Sequence, residues 1–423
     1  MVRFLYTFLL WLLLPFVFVR LALRARRQPE YRQHLRERFG FYPSCRYSGE
    51  GRNPVIWLHA VSVGETRATV SLVAKLRAAY PEHQILLTHT TPTGRATSEQ
   101  LYGDSVRRVY LPYDYPFAVR RFLRHFRPAV GILMETEIWF NLIHEGRAAD
   151  VPMLLLNARL SEKSAKGYAR FASLSRSALQ NLTAIAAQTR DDAARLGQLG
   201  AEKVSVMGNL KFDIEPPPVM RELGKALRRQ FGADRKILLA ASTREGEETI
   251  LLDAFMAQSV MKDVLLVIVP RHPQRFDEIA ELLAKRGLRY QRRSGNSEVG
   301  ADVQVVLGDS MGEMFAYYAA ADIAYIGGSL LPFGGQNLIE ACAVGIPVLI
   351  GPHTFNFTEA TQLAVEAGAA LRVGNAEELF QTAQALLNDD SALDAMGKKG
   401  VQFVASHQGA TDKAMSVIRA VIG

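Results

Sequence analysis

Cysteine is almost absent: Cys45 and Cys342 are the only two in 423 residues. Two thiols exclude a disulfide framework and a cysteine-built zinc site, and they fit a reducing, cytoplasmic setting. Cys342 stands in an apolar helical pattern and reads as an inert core residue. Metal-ligand spacings are missing too: no Asp-x-Asp pair follows a strand pattern, and there is no His-x-x-x-His. The sequence therefore leads us to expect no metal and no other cofactor. Internal repeats and low-complexity tracts are also lacking. What remains, 48% hydrophobic and 22% charged residues, is the composition of an ordinary globular protein, long enough for two α/β domains.

An excess of positive over negative charge is nearly absent outside one region. The net charge is +8, but residues 1–40 hold eight arginines against Glu30 and Glu37, leaving only +2 for the rest. So local a basic excess argues against a general nucleic-acid coat and for anionic membrane lipids as partners. Phe4 to Val19 carries no charge at all, and Leu21 to Leu23 nearly bring it to the lower limit of a membrane span. No small-residue cleavage site follows it. Arginines crowd its C-terminal flank, which places the bulk of the chain in the cytoplasm. Pro15 and Arg20 interrupt the run, so it either spans the bilayer or lies in the interface.

Short apolar runs alternate with helical patterns twice over, the signature of parallel βα sheets. Strands are expected at 55–59, 84–88, 108–111, 130–134, 153–157, 184–188 and 204–207, then at 236–241, 264–269, 303–307, 322–326, 347–350 and 370–373. Three prolines at Pro216–Pro218 continue neither a helix nor a central strand. The expected division is an anchor and basic flank at 1–27, a Rossmann-like domain at 28–212, a linker at 213–219 and a second Rossmann-like domain at 220–423. Two doubly wound domains facing a cleft would bind ligands beyond the carboxyl ends of their strands.

Several motifs stand at those strand ends. Gly327-Gly-Ser-Leu-Leu-Pro-Phe-Gly-Gly-Gln-Asn-Leu-Ile-Glu340 joins a strand to a helix expected to begin near Asn337. Its glycines allow close approach to a ligand, and Asn337 and Glu340, one turn apart, can face the same molecule. A carboxylate there suits sugar hydroxyls, so the site reads as a nucleotide cradle. In His59-Ala-Val-Ser-Val-Gly-Glu-Thr66, Glu65 is either a first-turn carboxylate that stabilises its helix or a general base. In Met134-Glu-Thr-Glu-Ile-Trp139, Glu135 and Glu137 share a face if the strand continues and diverge if it stops. Thr91-Pro-Thr-Gly-Arg95 and Ser242-Thr-Arg-Glu-Gly-Glu-Glu248 are further turns able to meet an anion. Lys211, at the linker, would overhang the cleft, and Arg271 could clamp a phosphate with His272 beside it. Ser310 reads as an N-cap.

HAVSVGET, METEIW, NARLS, GNLKFD, STREGEE, VPRHP, GDSMGE and GGQNLIEA stand in the order found in 3-deoxy-D-manno-octulosonic acid (Kdo) transferases, which the chain resembles over nearly its whole length. The resemblance implies a GT-B glycosyltransferase that moves Kdo from CMP-Kdo to a lipid A precursor, lipid IVA, in lipopolysaccharide biosynthesis. It would invert the donor's configuration and use no metal. By resemblance, Glu65 is the proton acceptor, and Glu135 and Lys211 stabilise the transition state. Arg271, His272, Met311, Gly312, Glu313, Asn337, Leu338, Ile339 and Glu340 match CMP-binding segments. Gln336 replaces a frequent histidine, and Phe140 a frequent proline. The rivals are another enzyme of the same fold, such as a nucleotide-sugar epimerase, and a non-catalytic membrane protein that binds anionic lipid.

Overall fold

The computed structural model describes residues 2–43, 53–258 and 263–423, so Cys45 lies outside the described residues. Two compact units form: Met1–Asp213 together with Gln408–Gly423, and Ile214–His407. The boundary falls at the proline segment. The terminal stretch from Gln408, expected in the second domain, instead belongs to the first. Its helix Ala410–Ile422 starts against the carboxylate of Asp213, which accepts Gly409 N–H at 2.7 Å and also Thr411 N–H.

In the first unit the strands are β1 (Val55–His59), β2 (Gln84–His89), β3 (Arg107–Tyr110), β4 (Pro128–Met134), β5 (Met153–Ala158), β6 (Ala184–Ala187) and β7 (Val204–Val206). They form one parallel sheet in the order β3-β2-β1-β4-β5-β6-β7. Successive side chains of a strand point to opposite faces, so a strand covered on both sides reads as a continuous apolar run. Val55 and Trp57 pack one way with Phe122, Leu155 and Ile185. Ile56 and Leu58 pack the other way with Leu72, Leu76, Met415 and Ile418.

The second unit holds β8 (Lys236–Thr243), β9 (Val264–Pro270), β10 (Tyr290–Arg292), β11 (Val305–Leu307), β12 (Ile323–Ile326), β13 (Val348–Ile350) and β14 (Ala370–Arg372). Its parallel sheet runs β10-β11-β9-β8-β12-β13-β14. Every anticipated strand is present. The unanticipated β10 is a short, charged edge strand. Chain order reverses between β1 and β4 and between β8 and β12, the switch points where doubly wound sheets hold ligands.

The N-terminal run is not one helix. Val2–Leu12 and Leu14–Arg27 meet at a bend of 49° between their axes, and among the described residues no single helix is long and apolar enough to cross a membrane. Pro15, without an N–H, cannot bond back to the preceding turn, which explains the break. One side of the pair is fastened to the first unit. Tyr6 donates to Asp114 at 2.9 Å, Thr7 to Asn141 at 3.2 Å, and Tyr115 to the Leu10 carbonyl at 2.8 Å. The other side leaves Phe4, Phe8, Leu12, Phe16, Val19 and Leu23 exposed, at helical spacing.

Candidate active site

Glu65, Glu135 and the sheet's switch point belong together: Glu65 follows β1, and Glu135 follows β4. The helix Val63–Ala68 opens with a capping box, in which Ser62 Oγ accepts Glu65 N–H at 3.2 Å and donates to Glu65 Oε1 at 2.8 Å. Glu65 Oε2 accepts Val61 N–H at 2.8 Å. The helix-stabilising role is therefore present in the structure. The chemical one is compatible with it, because burial, with the charges of Glu135 and Glu137, raises the Glu65 pKa against the opposing hydrogen bonds. Its carboxylate is thus fixed in direction and more basic than a solvated glutamate.

Strand β4 stops at Met134, and Glu135 takes a left-handed φ of 55°, costly for a glutamate. That twist separates the two carboxylates of the motif, so the diverging arrangement is the one that forms. Glu135 Oε1 faces Lys211 Nζ at 3.4 Å, an ion pair without hydrogen-bond alignment. Glu137 turns to Trp139 Nε1 at 2.5 Å and stands 3.8 Å from Nε2 of the fully buried His59. Burial pushes the Glu137 pKa up, but His59 and the indole N–H outweigh it and the net direction is down. In the sequence, Glu137 stands out only beside Glu135, and His59 only as the first residue of its motif.

In the second unit, Arg271 leaves the end of β9 with its N–H on the Thr243 carbonyl at 3.0 Å. The His272 pKa is lowered by burial and by the positive charges of Arg244 and Arg271. Arg244, not singled out in the sequence, therefore joins these two at the β8 and β9 ends. Its guanidinium lies 4.5 Å over the Phe333 ring of the glycine-rich loop. The signal for it was the STREGEE turn itself, where Ser242 is left-handed at φ 57°.

The glycine-rich loop is held by a buried carboxylate. Glu247 accepts Tyr325 O–H and Gly328 N–H, both at 2.6 Å, Arg244 N–H at 2.9 Å and Leu330 N–H at 3.1 Å. A Cβ on Gly327 would meet the Ser242 carbonyl at 2.5 Å, so this glycine serves chain-on-chain packing. Gly328 has φ +70°, a turn that excludes most side chains. The following helix starts at Ile339, not Asn337. Asn337 Nδ2 donates to Glu340 Oε1 at 3.0 Å, and its Oδ1 accepts Ile339 N–H at 3.1 Å. Leu338 and Ile339 have fully buried side chains, so only their backbone can meet a ligand.

Ser310 is not the N-cap anticipated. The helix Met314–Ala320 is preceded by Glu313, and Ser310 donates to the Glu313 carboxylate at 2.7 Å. Glu313 also pairs with Arg293 at 3.3 Å, Gly312 has φ +81°, and Met311 is exposed. Cys342 is fully buried, which pushes its thiol pKa up to about 12 and leaves it inert. Among the described residues, no three His, Cys, Asp or Glu side chains are grouped to hold a metal ion.

Residues 33–214 match the family model described as 3-deoxy-D-manno-octulosonic-acid transferase (kdotransferase), and residues 256–403 match glycosyl transferases group 1. A 3-deoxy-D-manno-octulosonic acid transferase of Bordetella pertussis is 45% identical over 379 residues, covering 87% of each chain. That of Haemophilus influenzae is 38% identical over 424 residues, covering 99% of this chain and 98% of its own. Among solved structures, a glycosyltransferase from Rickettsia africae aligns with TM-score 0.57 over 88% of this chain and 99% of that one. At 14% identity that likeness speaks for the fold alone.

Proposed function

The chain belongs to the 3-deoxy-D-manno-octulosonic acid transferase family and is a glycosyltransferase of α/β GT-B fold, and from that premise we propose that it transfers Kdo from CMP-Kdo to lipid IVA with inversion and without a metal. The observation that carries this reading is Glu65, a buried carboxylate of raised pKa at a switch point, beside the Glu135–Lys211 pair. Glu65 takes the proton of the acceptor hydroxyl as its oxygen bonds to the anomeric carbon. The bond from that carbon to the CMP phosphate breaks, and its electron pair leaves with CMP. Lys211 meets negative charge, and Glu135 holds the ammonium in place. Arg271 and Arg244 supply positive charge for the nucleotide.

The family's reaction places the chain in a membrane-associated lipopolysaccharide pathway. The docked, bent helix pair supports an interfacial anchor on the cytoplasmic face of the inner membrane over a spanning one. A helix bonded to Asp114 and Asn141 of the first unit cannot also cross the bilayer without breaking those bonds.

The decisive experiment is Glu65→Gln with CMP-Kdo and lipid IVA in vesicles. Transfer is expected to fall at least about a hundredfold, the usual worth of a general base, with CMP affinity by calorimetry unchanged. Near-normal turnover removes Glu65 from the base role. A rate that survives a chelator agrees with the metal-free reading; loss on chelation, restored by a divalent ion, contradicts it.

A further inference from the structure

We propose that Asn157, with Gln188 and Asn209, is a positioning device for Lys211, an inference that rests on the role given to Lys211 above. Asn157 is fully buried at the end of β5, next to β4 and Glu135 in the sheet. Its φ is 54°, and pairing with β6 slips by one residue between Leu156 and Ala158, so Asn157 is the bulged residue. Asparagine accepts that left-handed conformation more readily than other side chains. The bulge re-aims its amide away from the ladder.

The amide reaches the turn that carries Lys211. Asn157 Oδ1 accepts Leu210 N–H at 3.0 Å, which fixes which end of the amide is oxygen. The Asn157 carbonyl accepts Gln188 Nε2–H at 3.0 Å, and Gln188 Oε1 accepts Asn209 Nδ2–H at 3.1 Å. Asn209 Oδ1 closes the chain on Lys211 N–H at 3.0 Å. Two consecutive backbone N–H groups, those of Leu210 and Lys211, are thus held by amides tied to the ends of β5 and β6. The turn Leu210–Phe212 is a single 3-10 turn and has no long helix to hold it. Lysine side chains are flexible, so fixing the backbone beneath the ammonium limits where it can meet Glu135.

One orphan argues that this is more than packing. Asn157 Nδ2 is buried and makes no hydrogen bond, a cost of about 1–3 kcal/mol. Glycine would serve the left-handed turn without that cost. The amide is kept for its oxygen, which points at the Lys211 turn.

The test is a double-mutant cycle on the full chain in vesicles, reading Kdo transfer from CMP-Kdo to lipid IVA. Asn157→Gly keeps the left-handed φ and deletes the amide. It is expected to lower kcat on the order of a hundredfold, the effect of misplacing a reacting group by about 1 Å, with KM for CMP-Kdo unchanged. Combined with Lys211→Gln, it is expected to cost nothing beyond Lys211→Gln alone, because the two act as one unit. A further full loss in the double variant overturns the proposal and leaves Asn157 structural. Should Asn157→Gly fold poorly, the pair at Asn209 decides: Asn209→Ser keeps an oxygen that can accept Lys211 N–H and a hydroxyl proton for Gln188 Oε1 and should keep most of kcat, whereas Asn209→Ala should not. Equal activities of those two overturn it. Full activity of Lys211→Gln defeats the prior reading of Lys211, an outcome distinct from a failure of the clamp.

Discussion

At the scale of single residues, the base role proposed for Glu65 rests on a carboxylate made less comfortable as an anion. Burial raises the Glu65 pKa first and the Glu135 charge second, against two hydrogen bonds that favour the ionised form. A base acts when deprotonated, so the acid limb of kcat/KM should lie above the ordinary glutamate value of about 4.3. Removing the Glu135 charge takes away one raising cause. In Glu135→Gln the residual rate should therefore show its acid limb at lower pH, whatever the drop in its plateau; a limb that stays in place means Glu65 is not the group titrating. Folded-state stability carries the same sign. A raised pKa adds stability below the unfolded value and loses it as pH climbs through the folded one. Much of this was legible, since a strand end followed by a Ser-x-x-Glu helix start is a local pattern. The roles of Glu247, Asn157 and His59 were not. Glu247 reaches Gly328 and Leu330, Asn157 reaches Leu210, and His59 meets Glu137, all pairings far apart in sequence that only the sheet order brings together.

At the scale of elements, strands were readable because both faces of each sheet are covered, which turns every central strand into an apolar run. Tyr290–Arg292 escaped because an edge strand of Tyr, Gln and Arg buries little. The helix starts at Met314 and Ile339 were misplaced for a different reason. Ser310 and Asn337 carry good capping side chains, but each is spent on a nearby glutamate or a local turn. The N-terminal run was legible as apolar and not as bent. Its exposed row Phe4, Phe8, Leu12, Phe16, Val19 and Leu23 lies opposite the side bonded to the first unit, and this gives a measurable consequence. Burying one such side chain in an interface is worth about 2 kcal/mol, or more than tenfold in partitioning. Phe8→Glu with Leu12→Glu should lower binding to anionic vesicles at least about a hundredfold and leave thermal stability in detergent unchanged. Unchanged vesicle binding would show that the exposed row does not meet lipid.

At the scale of the whole molecule, sequence order and structural membership part company at the C-terminus. Nothing in the pattern of Ala410–Ile422 says which core it completes, because any amphipathic helix fits any sheet of the right width. The side chains decide: Ala410, Ala414, Met415 and Ile418 enter the cluster of Ile56, Leu58, Ile132 and Leu154. Met415 and Ile418 alone account for roughly 5 kcal/mol of apolar burial, and the Asp213 cap adds about 1 kcal/mol. A domain's total stability is about 5–15 kcal/mol. Ending the chain at His407 should therefore melt the first unit while the second, which holds Ile214–His407 entire, stays folded. Urea unfolding of the truncated chain should show one transition lost or shifted to low denaturant and the other in place. Limited proteolysis should then leave a fragment that begins near Ile214. A shift of both transitions together would mean that the helix stabilises the two units as one. A shift of neither would mean that the burial of Met415 and Ile418 contributes far less than their area implies.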